Sequence, residues 1–129
     1  MNHAMAETGM INARLRPCPG SPNCVSTQAE DKAHRIAPFR YQRDQSVALD
    51  ALKQAVGDMA GARLVDEQGP YLRYEFTSWL FRFVDDVEFV FDDASKTIHF
   101  RSASRTGYSD LGVNRKRMEE IRRKVEGML

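Results

Sequence analysis

The chain has 129 residues, 42% hydrophobic and 29% charged, the size and make-up of one globular domain that can bury its own core. A net charge of +1 excludes a molecule that is basic as a whole, and no stretch approaches the roughly 20 apolar residues of a membrane-crossing helix. The charge is sorted along the chain all the same. Residues 66–93 hold eight acids against Arg73 and Arg82, and residues 101–124 hold eight bases against Asp110, Glu119 and Glu120. Internal pairing is the commonest outcome of such a pattern.

Residues 1–17 have neither the basic start nor the apolar stretch of a secretory signal, so they read as a flexible extension ahead of a single domain over residues 18–129. The cytoplasm is the default location. Up to about residue 45 the chain looks irregular, with four of its five prolines and the turn-rich run RPCPGSPNC. Cys18 and Cys24 are too few for a disulfide framework. Stiffened by Pro17, Pro19 and Pro22, they suit a reduced docking loop or a thiol–disulfide pair. With His34 they would make only a partial metal site; zinc sites show tighter Cys spacing and four ligands, so no metal or cofactor is expected. Residues 34–41, HRIAPFRY, read as an extended piece packed through Ile36, Phe39 and Tyr41.

SVALDALKQAVGDMAG predicts the first helix. Ser46 is its expected N-cap, Val47, Ala48, Ala51, Leu52, Ala55, Val56 and Met59 its apolar face, and Gly61 its stop. Three or four strands follow. ARLVDE is short. GPYLRYEFTS alternates Leu72, Tyr74 and Phe76 with Tyr71, Arg73 and Glu75. LFRFVDDVEFVFDD puts Phe81, Phe83, Asp85, Val87, Phe89 and Phe91 on one face, and Val84, Asp86, Glu88 and Val90 on the other. Trp79 marks a turn or bulge just before it and is expected to pack partly buried. After the turn DDASK, TIHFRSASR alternates Ile98, Phe100 and Ser102 with His99, Arg101, Ala103 and Arg105. The loop TGYSDLG leads to a final helix, NRKRMEEIRRKVEGML, with Asn114 as expected cap and Met118, Ile121, Val125 and Met128 as its apolar stripe. The expected fold is α+β: one domain with an antiparallel sheet of three to five strands, two helices packed on one face and an irregular N-terminal segment.

The acids in the core-like strand pose the main question. If Phe91 pairs near Ile98, Glu88 lies opposite Arg101 and Asp86 lies diagonal to Arg101 and Arg105. Asp86 and Glu88 then form a charge ladder on a solvated sheet face. Asp85 stays in the Phe row, opposite Ser104. A buried carboxylate must be paired or hydrogen-bonded, and Ser104, the TGYSDLGVNR loop, Arg115 and the Pro-rich segment are the candidate partners. Asp85 is then either an anchor that pins a loop or a carboxylate tuned for acid–base or ligand work.

Three motifs, CPGSPNCVS, FRFVDDVEF and RSASRTGYSDLGVNRKR, occur in this order between Cys18 and about Arg123. They resemble the domain-of-unknown-function-1499 family, found in bacteria and in plants, where its members are plastid-targeted. Some bacterial members follow a signal or membrane segment; this sequence shows neither, so that location does not transfer. The resemblance marks motif residues, among them Ser21, Asn23, Ser102 and Gly107 besides those already named, and adds no chemistry.

The leading reading is a non-catalytic ligand-binding or protein-interaction module. Its site would be Asp85, Asp86, Glu88, Arg101, Ser104, Arg105, Tyr108, Asp110, Asn114 and Arg115, where guanidinium forks suit a small anionic ligand and a helix start favours anions. The alternatives are an enzyme on a small anionic substrate, with Asp85 or Asp86 as general acid/base and an arginine clamp, and a thiol-dependent module using Cys18 and Cys24. No nucleic-acid partner is expected, because the basic last helix lacks interleaved aromatics.

Overall fold

In chain order, the computed structural model describes residues 7–80 and 82–129. It starts with a hairpin of β1 (Met10–Ile11) and β2 (Arg14–Leu15), then has the short strands β3 (Cys24–Ser26) and β4 (Phe39–Arg40) and helix α1 (Gln45–Gly57). The strands β5 (Ala62–Gln68), β6 (Tyr71–Thr77), β7 (Val84–Asp92) and β8 (Thr97–Ser104) follow, and helix α2 (Val113–Val125) ends the fold.

Short turns between alternating strands permit an antiparallel meander, and β5–β8 form one, with Phe91 opposite Ile98 and Glu88 opposite Arg101 as the alternation predicts. The three to five strands expected fall short. The main sheet has six, because β3 and β4 both pair with the outer edge of β8, and the hairpin adds a sheet of two. In the gap between β3 and β4, Thr27 stands in for strand backbone. Its amide donates to the Phe100 carbonyl (3.0 Å) and its hydroxyl accepts from the Phe100 amide (3.1 Å).

The core lies between one sheet face and both helices. Leu72, Tyr74, Phe76, Val87, Phe89, Phe91, Ile98 and Phe100 form one buried cluster with Leu52 and Val56 of α1 and Met118, Ile121 and Val125 of α2. Full burial of each such side chain contributes about 1.5–3 kcal/mol. Ile36, Phe39 and Tyr41 join the cluster as expected. The segment expected as an extension, residues 1–17, contains the β1–β2 hairpin, and Leu15 is buried against Tyr71 and Val90 on the opposite sheet face.

Several local expectations need correction. β7 starts at Val84, so Phe83 lies in a loop and is exposed instead of sharing the Phe face; Phe81 lies outside the described residues. Trp79 is 84% exposed, not packed. The cap of α1 is Asp44 instead of Ser46, and that of α2 is Gly112 instead of Asn114, which sits in the first turn. Gly61 does not end α1, which stops at Gly57. Gly61 has φ +80°, and a Cβ there would come within 2.4 Å of the Thr77 carbonyl oxygen.

That close approach makes a prediction. Gly61→Ala should lower unfolding free energy by about 2–3 kcal/mol. Gly57→Ala, which meets open space, should leave it unchanged or raise it by up to about 1 kcal/mol. Urea midpoints compare the two, and equal midpoints would contradict the contact.

Candidate functional site

The residues singled out in the sequence form two polar systems on opposite faces of the sheet. On the outer face, Glu88 and Arg101 sit side by side with no exposure at all. Glu88 accepts from Arg101 (3.0 Å), the Tyr71 hydroxyl (2.7 Å) and the Gly9 amide (2.7 Å). Arg101 also donates to the Glu7 carbonyl (3.1 Å), while its Nε is a buried atom without a hydrogen-bond partner among the described residues. The solvated ladder expected here is therefore a buried one, because the N-terminal segment covers it. Burial, then the neighbouring Glu88, pushes the Tyr71 hydroxyl well above its ordinary range.

Toward the start of β7 the pairing continues. Asp86, also buried, accepts from Arg73 (3.0 Å) and from both Nε (2.9 Å) and Nη2 (3.0 Å) of Arg105. Arg105 also reaches Glu75, and this contact above all holds the Glu75 carboxyl below the usual range. The Arg105 guanidinium is held above its own range, first by Asp86.

On the core face, Asp85 lies opposite Ser104 but bonds to Arg117 of α2 (2.7 Å), a residue the sequence reading missed. Arg117 also lies over the Phe76 ring and donates to the Asn114 side-chain Oδ1 (3.0 Å). Asn114 accepts from Ser102 (2.6 Å) and donates to Ser104 (2.9 Å), Asp110 (2.8 Å) and the Asn23 carbonyl (3.3 Å). Asn23 in turn donates to the carbonyls of Thr106 and Gly107. One network thus ties the proline-rich loop, the β8–α2 loop and the start of α2 to the sheet. Asp110 accepts from the Gly112 and Asn114 amides at that start. Burial works against its carboxylate, but these bonds prevail and hold its pKa below the ordinary value. Arg115, expected near Asp85, donates instead to the carbonyls of Arg35 and Ala33. A basic residue one helical turn after Asn114 and beside buried Met118 was the available signal for Arg117.

Cys18 and Cys24 are joined by a disulfide, with Cα atoms 5.7 Å apart. It ties the base of the N-terminal segment to β3. His34, the third partner considered for a metal, bonds to Asp31 and to the Ser21 carbonyl. His99 shares a 2.9 Å contact with the Thr27 hydroxyl. Burial holds its imidazole below the ordinary 6.5; Asp92 opposes the shift and Arg14 and Arg40 reinforce it.

The two polar systems leave one end of the domain different in character. The β6–β7 loop and the β8–α2 loop leave the sheet at the same end, where the Arg105 amide donates to the Val84 carbonyl (3.1 Å), and Trp79, Leu80, Phe83, Tyr108 and Leu111 all expose large apolar surfaces. Between this end, the C-terminal end of α1 and the start of α2 lies a cleft of about 650 Å³. Of the expected site residues, Tyr108 is the one that exposes a large apolar surface at this end; Asp110, in the same loop, is turned to the start of α2.

Among known proteins, the family model described as "Protein of unknown function (DUF1499)" matches residues 14–125. Neither the curated proteins nor the solved structures gave a match.

Two outcomes follow from the buried groups. The Asp85 and Arg117 side chains are only 10% and 12% exposed. Arg117→Met should therefore strand a carboxylate and cost about 3–5 kcal/mol, whereas Asp85→Leu/Arg117→Met should recover most of that loss in urea unfolding. A double variant no more stable than the single one would show that packing, not charge, dominates. For His99, the unfolded chain takes up a proton near pH 6.5 and the folded protein only at a lower pH. This contribution to stability is whole above the unfolded value and is lost as pH falls toward the folded one. His99→Gln should flatten the urea midpoint between about pH 7.5 and 5.5; the same slope in both proteins would clear His99 of it.

Proposed function

We propose that this chain, which belongs to the DUF1499 family of proteins of unknown function, is a non-catalytic binding module that works through its apolar loop end. One observation carries the reading. Trp79 is 84% exposed, Leu80 65% and Leu111 86%, all in the two loops at one end of the sheet, while the acids and arginines of the polar systems are spent on one another. Contiguous apolar patches mark interaction sites more often than scattered apolar residues do.

The exposure is built into the loop. Ser78 and Phe83 close it through a backbone bond (2.8 Å) and a bond from the Phe83 amide to the Ser78 hydroxyl (2.9 Å). Arg82 inside it holds φ at 59°, a conformation that costs a non-glycine residue about 1–3 kcal/mol.

The enzyme reading, with Asp85 or Asp86 as acid/base, draws less support, because Arg117, Arg73 and Arg105 already hold those carboxylates. The thiol reading keeps one favourable observation, the Cys18–Cys24 disulfide beneath the N-terminal segment. No helix among the described residues is long and apolar enough to cross a membrane. The expected cytoplasmic location belongs to this proposal as well, with the disulfide counting against it, since such bonds persist in oxidising compartments.

Trp79 is the single tryptophan, so its emission reports on the loop end directly. The native protein should bind the apolar dye ANS with a blue shift of Trp79, and Leu80→Ser/Leu111→Ser should weaken this at least fivefold at unchanged melting temperature. Dye binding that survives in the double variant would move the apolar site elsewhere. In a thermal-shift screen of small anionic metabolites, stabilisation of the wild type that disappears in Arg105→Ala would favour the polar cluster instead.

A further inference from the structure

The cleft at the loop end has a composition that selects among ligands. Met59, Phe76 and Val113 supply apolar lining, and Trp79 stands at its edge. Its volume of about 650 Å³ falls within the roughly 300–1,000 Å³ of small-molecule sites, whose linings are mostly apolar with a few polar groups that fix orientation.

Its charged lining is unbalanced. Arg82, Lys116 and Arg117 face one acid, Glu120. Arg117 is engaged by Asp85 and lies over Phe76. Arg82 and Lys116 are exposed, and neither forms an ion pair among the described residues. In the polar systems, by contrast, Arg73, Arg101 and Arg105 are closed off by acids. Here two cations stand unpaired beside an apolar hollow, an arrangement that favours an apolar body with a negative head.

We propose that this cleft binds a single-chain anionic amphiphile, with the acyl chain along Met59, Phe76, Val113 and Trp79 and the anionic head between Arg82 and Lys116. The proposal rests on the binding-module reading and names its ligand class. A carboxylate or a phosphate head offers the same chemistry to two cations, so a free fatty acid and a lysophospholipid are two sources of one ligand.

The test titrates the full chain, disulfide intact, with laurate, lauroyl lysophosphatidylglycerol and uncharged dodecanol, each below its micelle concentration, and follows Trp79 emission. Wild type should bind both anions at least tenfold more tightly than dodecanol. Arg82→Gln/Lys116→Gln should remove roughly tenfold of the anion affinity and leave dodecanol unchanged. Each methylene removed from the fatty acid should weaken binding about two- to fourfold. The tighter of the two anions identifies the source. Equal binding of laurate and dodecanol, or no effect of the double variant, would overturn the anionic class while leaving a binding surface at this end. Absence of binding by all three would overturn the amphiphile proposal. The placing of the binding module's site at this loop end falls separately, if the Leu80→Ser/Leu111→Ser variant still binds ANS as the wild type does.

Discussion

The Glu88–Arg101 pair is the constraint on which much of the structure depends. Both side chains are fully removed from water, and the desolvation of two charges is offset only as far as the remaining donors and acceptors are met; here Arg101 Nε alone keeps no partner among the described residues. The two oxygens of Glu88 take three donors, one of them the Gly9 amide. The pair thus requires a cover, and residues 7–17 supply it with backbone groups that face the charges and with Leu15, which packs on Tyr71 and Val90. The Cys18–Cys24 disulfide anchors the cover where it meets the sheet.

The opposite face solves a different problem with similar means. Asp85 interrupts a row of buried aromatic and aliphatic side chains, and Arg117 reaches it from α2 across the Phe76 ring. Asn114 then distributes hydrogen bonds among Ser102, Ser104, Asp110 and Asn23. A fully satisfied buried network defines one arrangement of the parts it joins. Here it sets the start of α2 against the end of β8, and so fixes the α2 wall of the cleft. Asp85, Ser102 and Asn114 are in this sense architectural, while Phe83, Tyr108 and Leu111, from the same motifs, stand on the exposed loop end.

Much of the fold was legible from alternation and helical spacing. The register of β7 on β8 followed from aligning Phe91 with Ile98, because a shift of one residue would turn every Phe in β7 to the wrong face. The pairings Glu88–Arg101 and Asp85–Ser104 came with it. The extra strands β3 and β4 were harder to see. They are only three and two residues long, too short for any period, and are strands only because β8 has a free edge. Trp79 misled for a related reason. A large aromatic residue predicts burial on average, but its loop closes on its own hydrogen bonds and turns the indole outward.

The sequence alone determined the α+β class, the meander, the helix faces apart from Val47 and Met128, the register and the separation of Asp85 from Asp86 and Glu88. Each of these depends on a repeat of two or 3.6 residues, which the backbone turns into a face. Tertiary structure alone decided which face was wet, which arginine met Asp85 and where apolar surface stayed exposed. Those outcomes depend on residues distant in sequence, such as Gly9 on Glu88 across 79 positions and Arg117 on Asp85 across 32, and no local period encodes such contacts.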